Sequence, residues 1–158
     1  MKKNFLIQFV FFVLLLVLHA HLSAQTTNDK IKSEITEALN LWNTACKNVD
    51  LEQVMSMFDN SENIMVIGSA NGEVSKGKDE IRKWLGDLFG FAGFSWEMNR
   101  IDIDYSDKTA WVFIEGTMVV SIHKGETIKK PYRFTAILVK KKNVWKWRLF
   151  DGSEPQSE

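Results

Sequence analysis

The sequence predicts an α+β fold in which three helices, placed ahead of the long strands, pack on a strongly curved, mostly antiparallel sheet. Two observations lead there. Apolar residues recur at three- and four-residue steps up to about residue 89 and at alternate positions after it. The extended runs that follow are joined by short polar turns, as antiparallel neighbours are. Helices segregated from such strands close one face of the sheet and leave a cavity where the two layers diverge.

The first stretch, residues 1 to 24, reads as a signal peptide. Lys2 and Lys3 precede an apolar run from Phe5 to Leu18, and Leu22, Ser23 and Ala24 resemble a small-residue cleavage site. The run is shorter than the roughly 20 residues a membrane span needs. The alternative is an uncleaved N-terminal anchor. Cleavage would leave a single domain, 25–158, with its core at about 31–153, periplasmic or secreted and without a membrane segment. The one cysteine, Cys46, rules out an intrachain disulfide even in an oxidising compartment.

From Asp29 to Val49 the positions Ile31, Ile35, Ala38, Leu39, Trp42, Ala45, Cys46 and Val49 form the stripe of an amphipathic helix. Asp50 reads as the N-cap of a short second helix, with Gln53 at the capping-box position and Leu51, Val54, Met55 and Phe58 on its buried side. Residues 63–68 read as a short strand, 69–72 as a turn, and the stretch from there to Gly77 as a loop. A third helix spans Lys78 to Phe89, with Ile81, Trp84, Leu85 and Leu88 facing inward and Asp79 and Glu80 in its first turn. Gly90 and Gly93 bracket an exit loop.

Two long strands follow, joined at residues 105–109. In the first, Phe94, Trp96 and Met98 share one phase, whereas Ile101, Ile103 and Tyr105 share the other. A phase change inside one extended run signals a β-bulge. In the second, Ala110, Val112, Ile114, Gly116, Met118, Val120 and Ile122 make an apolar face. Its other face mixes Trp111 and Phe113 with Glu115, which suits a pocket lining or a subunit interface. A further strand pair covers about 127–142 and 144–153.

The chain of 158 residues carries a formal net charge of zero, which argues against a nucleic-acid binder. Six tryptophans and eleven phenylalanines favour large apolar contacts with a ligand or a partner subunit. Phosphate-binding glycine loops, metal-spaced histidines and a nucleophile elbow are absent from the sequence, so neither metal nor cofactor is expected.

Several residues in order form a known pattern. They are the Trp42 helix leading to Asp50 and Phe58, the strand ending at Gly68, and the helix start from Gly77 to Ile81. Trp96 with Ile101 and Ile103, the strand from Thr109 to Val112, Arg133 with Thr135, and the segment from Trp145 to Ser153 complete it. Together they resemble the SnoaL-like branch of the nuclear-transport-factor-2-like superfamily, over essentially the whole chain from Ile31 to Ser153. The resemblance implies a cone-shaped α+β barrel that commonly pairs through the outer face of its sheet. It also implies a range of roles, from polyketide cyclases, ketosteroid isomerases and dehydratases to non-catalytic binding or assembly domains. The sequence departs from the family where histidines often stand in the last strand; here those positions are Leu149 and Asp151. That departure speaks against histidine chemistry.

The expected function is binding of a small, largely apolar molecule in the cone, with acid/base chemistry by Asp151 or Glu115 as an extension. A carboxylate in an apolar cavity has its charged form disfavoured and can exchange protons near neutrality. Candidate ligand contacts are Trp42, Phe58, Trp96, Glu97, Asn99, Trp111, Arg133 and Thr135. For Trp42 and Trp84 core packing is the simpler reading, and Arg133 can equally pair with Glu115 or Asp151 in a structural salt bridge. The alternatives are a homodimerisation or assembly module, anchored by Trp111, Phe113 and Val119, and an isomerase or cyclase of the ketosteroid-isomerase type.

Overall fold

The computed structural model describes residues 26–155, so the reading of residues 1 to 24 as a signal peptide lies outside them. Helix α1 covers residues 26–47, of which those from Ile35 belong to the compact unit described below. The other elements are α2 (Leu51–Met57), β1 (Met65–Ile67), β2 (Val74–Lys76), α3 (Gly77–Phe91), β3 (Ala92–Ser106), β4 (Thr109–Ile122), β5 (Thr127–Lys141) and β6 (Val144–Ser153). Among the described residues no helix is long and apolar enough to cross a membrane.

The helices form where the apolar spacing puts them. Ile35, Leu39, Trp42, Ala45 and Cys46 are all buried on one stripe of α1. Its end is a hydrogen-bonded reversal in which Val49 N–H donates to Cys46 O and Asp50 N–H to Ala45 O. Val49 takes the left-handed conformation there, with φ 53°, where glycine would be unstrained. Asp50 then caps α2, its Oδ1 accepting from Gln53 N–H at 3.0 Å. The start of α3 has no side-chain cap from Lys76; instead Glu80 reaches back to accept from Lys76 N–H at 2.9 Å.

Two local expectations change. Val74–Lys76 forms a short strand rather than a loop, pairing antiparallel with β1. The exit loop after the third helix is missing, because α3 runs through Gly90 to Phe91 and β3 begins at Ala92. Gly90 lies inside the helix with open space around it, whereas Gly93 serves a close approach: a Cβ there would stand 2.7 Å from Lys47 O, where the end of α1 presses on β3.

The six strands run in the order β2-β1-β6-β5-β4-β3, antiparallel except for the parallel β1–β6 pair. The bulge lies where the phase change places it. Met98 pairs with Gly116 and Arg100 with Glu115, so Asn99 is the extra residue. Both apolar phases of β3 thereby face inward. A second irregularity lies in β6, where Ile137 pairs with Leu149 but Leu138 pairs with Trp147, leaving Arg148 without a partner across the ladder. It turns Trp145 and Trp147 inward on one side and Phe150 and Gly152 inward on the other, all four buried.

The core is aromatic at its centre. Trp147 is 1% exposed and lies 4.3 Å from Trp42 between ring centroids. Phe58 meets Trp42 edge-on at 5.4 Å. The edge strand β3 is tied to α1 by Asn43, whose Nδ2 donates to Trp96 O at 3.0 Å while its Oδ1 accepts from Trp96 N–H at 2.7 Å. This occupies two backbone groups that an edge strand would otherwise expose.

Bulged Arg148 reaches Asp59, a buried carboxylate that accepts from Arg148 Nε at 2.9 Å and from Asn60 N–H at 2.7 Å. Burial pushes the Asp59 carboxyl up, but the hydrogen bonds and charge of Arg148 outweigh it and hold the group below its ordinary value. A carboxyl depressed in the folded state stabilises the fold above roughly pH 4, and that stability is lost as pH falls through the depressed value. Arg148→Met leaves Asp59 buried with only the Asn60 amide, and is expected to cost roughly 2 kcal/mol at neutral pH. It should also move the onset of acid unfolding to higher pH, as read by circular dichroism across a pH series.

Candidate functional site

Between the inner face of the sheet, α1 and α3 lies a cavity of about 400 Å³. That is within the size range of small-molecule sites, roughly 300–1,000 Å³. Trp42 and Cys46 of α1 form one wall, and Trp84, Leu85, Leu88 and Phe89 of α3 form another. The sheet supplies Phe94, Trp96, Met118, Val120, Tyr132 and Phe150. Rings of Trp42 and Trp96 flank Phe150, with centroids 6.1 and 6.0 Å away.

Polar groups gather at the mouth, where the β1–β2 turn meets β5 and the residue after β6. Ser69 donates to Glu154 Oε1 at 3.1 Å, and Glu154 also forms an ion pair with Lys130. Hydrogen bonding to Lys130 is the main cause that holds the Glu154 carboxyl below its ordinary value. Glu73 folds back over the turn, Oε2 accepting from Ala70 N–H at 2.9 Å. Phe91 and Ile128 also line the cavity and are exposed, 58% and 47% respectively, Ile128 standing two residues before Lys130 on β5.

Tyr132 links mouth and floor. Its ring lies 6.4 Å from Trp96, and its hydroxyl crosses Gly152, where a Cβ would come within 2.0 Å of the oxygen. Burial pushes the Tyr132 phenol up to about 12; a hydrogen bond with Ser69 works against it, and the charges of Glu154, Glu73 and Asp151 add to the rise. It is therefore a neutral hydroxyl throughout the physiological range. Because the native pKa is raised, this group's contribution to stability is present below pH 10.0 and drains as pH rises towards about 12. Gly152→Ala should displace the ring at a cost of roughly 1–2 kcal/mol. It is also expected to bring the late tyrosine titration back towards pH 10.0, as followed by ultraviolet absorbance. The Cys46 thiol is likewise pushed far up by burial and stays protonated.

The structure divides the sequence-predicted site residues. Trp42 and Trp96 line the cavity, and Phe58 packs behind Trp42. Glu115 lies on the outer face with Trp111, because β4 alternates without interruption and Val112, Ile114, Met118 and Val120 take the inner face. Glu115 pairs across the ladder with exposed Arg133, whose Nε donates to Ser153 Oγ at 3.1 Å. Thr135 and Asp151 are cross-strand neighbours, both exposed. Glu97 forms an ion pair with Lys129, and Asn99 is exposed at the bulge. None of these seven residues, Glu97, Asn99, Trp111, Glu115, Arg133, Thr135 and Asp151, lines the cavity.

Asp151 owes its position to the Arg148 irregularity. In an unbroken strand it would share a face with Trp145 and Trp147; one extra residue flips it to the other. The mouth residues Ser69, Glu73, Lys130 and Glu154 carry no sequence signal of their own, since charged residues at turns and strand ends ordinarily face solvent. Tyr132 was findable by alternation with Phe134 and Ala136, both buried. Among the described residues no group of three or more acidic, histidine or cysteine side chains is placed to hold a metal ion.

Comparison with solved structures returns this architecture at low sequence identity. A protein designated a dehydratase of the NTF2-like family, from Streptomyces avermitilis, aligns with TM-score 0.75 and 12% identity over 82% of this chain and 99% of its own. A protein designated a scytalone dehydratase, from Novosphingobium aromaticivorans, aligns with TM-score 0.73 and 20% identity over 84% and 89%. An NTF2-like superfamily protein from Salmonella enterica aligns with TM-score 0.72 and 18% identity over 82% and 94%. At these identities the likeness shows the cone fold and carries no chemistry. Comparison with curated proteins gives no significant match. The sequence profile of the SnoaL-like domain matches residues 35–154, which contain the whole six-stranded sheet and every residue lining the cavity, and the chain belongs to this SnoaL-like family.

Proposed function

We propose that this protein binds a small, largely apolar molecule in its cone and acts as a binder rather than a catalyst. The observation that carries the reading is an aromatic cavity of about 400 Å³ whose charged lining residues stand at the mouth. Apolar walls with a few placed polar groups are what small-molecule sites share. Catalysis by Asp151 or Glu115 finds no support in their position, since both are exposed on the outer face. An isomerase of the ketosteroid type needs an acidic hydroxyl opposite a carboxylate base. Tyr132 supplies a hydroxyl, but one made less acidic; Glu73 is engaged with the Ala70 amide and Glu154 with Lys130 and Ser69. The test is titration with naphthyl and steroid-like probes, following tryptophan fluorescence. Saturable one-to-one quenching that Met118→Trp abolishes is expected, and absence of saturable binding by every probe would overturn the reading.

A second reading concerns the outer face. Trp111, Ile137 and Leu149 stand in one cross-strand row, with Trp111 45% exposed. A half-exposed tryptophan in an apolar row is the kind of anchor an interface uses, so we propose homodimerisation through this face. Light scattering at increasing concentration tests it: a dimer that Trp111→Glu converts to monomer supports it, and a wild-type monomer throughout refutes it. Export is proposed on the sequence pattern of residues 1 to 24. N-terminal sequencing of the protein recovered from its native host decides whether cleavage falls after Ala24.

A further inference from the structure

We propose that the ligand is a cation, an apolar ring-bearing amine whose body lies among Trp42, Trp96 and Phe150 and whose ammonium sits at the mouth between Glu73 and Glu154. This deepens the binding reading above and rests on it. Three charged residues line the cavity, Glu73, Lys130 and Glu154, and their formal sum is negative. The one cation among them is already held by Glu154. The Glu73 carboxylate has a single hydrogen bond, from the Ala70 amide, and no cationic side chain of the described residues pairs with it. Its charge is therefore the uncompensated one at the opening.

A separate observation points the same way. The Tyr132 hydroxyl lies within reach of the charges of Glu154, Glu73 and Asp151, each of which disfavours its ionisation beyond the effect of burial. The mouth end of the cavity is thus a region of negative potential bounded by an aromatic ring. The rings of Tyr132 and Trp96, tilted to one another with centroids 6.4 Å apart, line the same cavity, and a cation that reaches an aromatic face there is attracted by its quadrupole. An ammonium gains from both features. A neutral ligand gains from neither, and a carboxylate is repelled unless it takes Lys130 away from Glu154.

The experiment compares three probes with one body: naphthalene-methylamine, naphthalene-methanol and naphthalene-carboxylate, each titrated into the protein with tryptophan fluorescence as the readout. The amine is expected to bind about fivefold tighter than the alcohol and the carboxylate most weakly, with the gap narrowing as salt rises. Glu73→Gln keeps an oxygen for the Ala70 amide and should bring the amine-to-alcohol ratio close to one. Glu154→Gln frees Lys130 and should raise carboxylate affinity relative to alcohol. Equal binding of amine and alcohol by the wild-type protein, tighter binding of the carboxylate, or a ratio that neither substitution moves would overturn the proposal. If none of the three binds saturably, the cone is not a ligand site and both readings fall; alcohol binding without amine preference removes only this one.

Discussion

Gly116→Ala is expected to be among the most damaging single substitutions in this protein, although it adds one methyl group to a strand. A Cβ at Gly116 would stand 1.9 Å from Glu97 O and 3.1 Å from Asn99 N. Both are backbone atoms at the bulge of β3, and no rotamer change can move them. Either the β3–β4 ladder separates at the bend or the bulge is lost. Losing the bulge returns β3 to a single phase, so that either Trp96 or Ile101 must leave the inner face. A cost of roughly 3 kcal/mol or more follows, seen as a fall in Tm of roughly 10 °C. The same change at Gly90, on α3, meets nothing within 4 Å and involves no positive φ. Gly90→Ala should raise stability by roughly 0.5 kcal/mol, through helix propensity and a less flexible unfolded chain. Opposite signs in thermal unfolding would trace the damage at Gly116 to the close approach and not to alanine in place of glycine.

The fold was legible because its information is periodic. The α1 stripe, the Asp50 cap and the alternation of β4 are each written in consecutive residues, and each is where the structure has it. Even the β3 bulge could be read, since Met98 and Ile101 are apolar residues in opposite phases. The break in β6 was written in the same way, in Trp147 against Phe150. It was masked because Leu149 continues the first phase and so makes the strand look regular as far as Asp151. One extra residue, Arg148, then separates an inward Asp151 from the outward one observed.

The site was less legible for a different reason. Its floor belongs to the core pattern, so Trp84, Phe89 and Met118 read as packing residues whether or not a void lies beside them. Its mouth is assembled from a turn, a strand start and a strand end that are far apart in sequence, and no local rule marks Glu73, Lys130 and Glu154 as neighbours. The polar residues that did stand out, Glu115, Arg133 and Asp151, stood out because they interrupt apolar strands. Interruption of that kind marks an exposed face of a one-sided sheet as readily as it marks a pocket.

Trp42 and Trp84 sit on helical stripes that look alike in sequence, and both line the cavity; alanine at each is expected to separate support of the fold from contact with the ligand. Trp42 is 3% exposed and packs against Trp147, Phe58 and Phe150. Trp42→Ala removes the ring on which those three converge and enlarges the cavity into the core, at a cost of roughly 3–5 kcal/mol. Set against a total stability of about 5–15 kcal/mol, that is enough to leave much of the protein unfolded at physiological temperature. Trp84 is only half-buried and has no ring contact of that kind among the described residues. Trp84→Ala should cost about 1 kcal/mol of stability. Its larger effect should be on binding: losing one aromatic wall is expected to weaken an apolar probe about tenfold. Denaturant unfolding and probe titration on the two variants give the two readouts. Unchanged probe affinity in a folded Trp84→Ala variant would place the ligand away from α3 and confine the site to the sheet and α1.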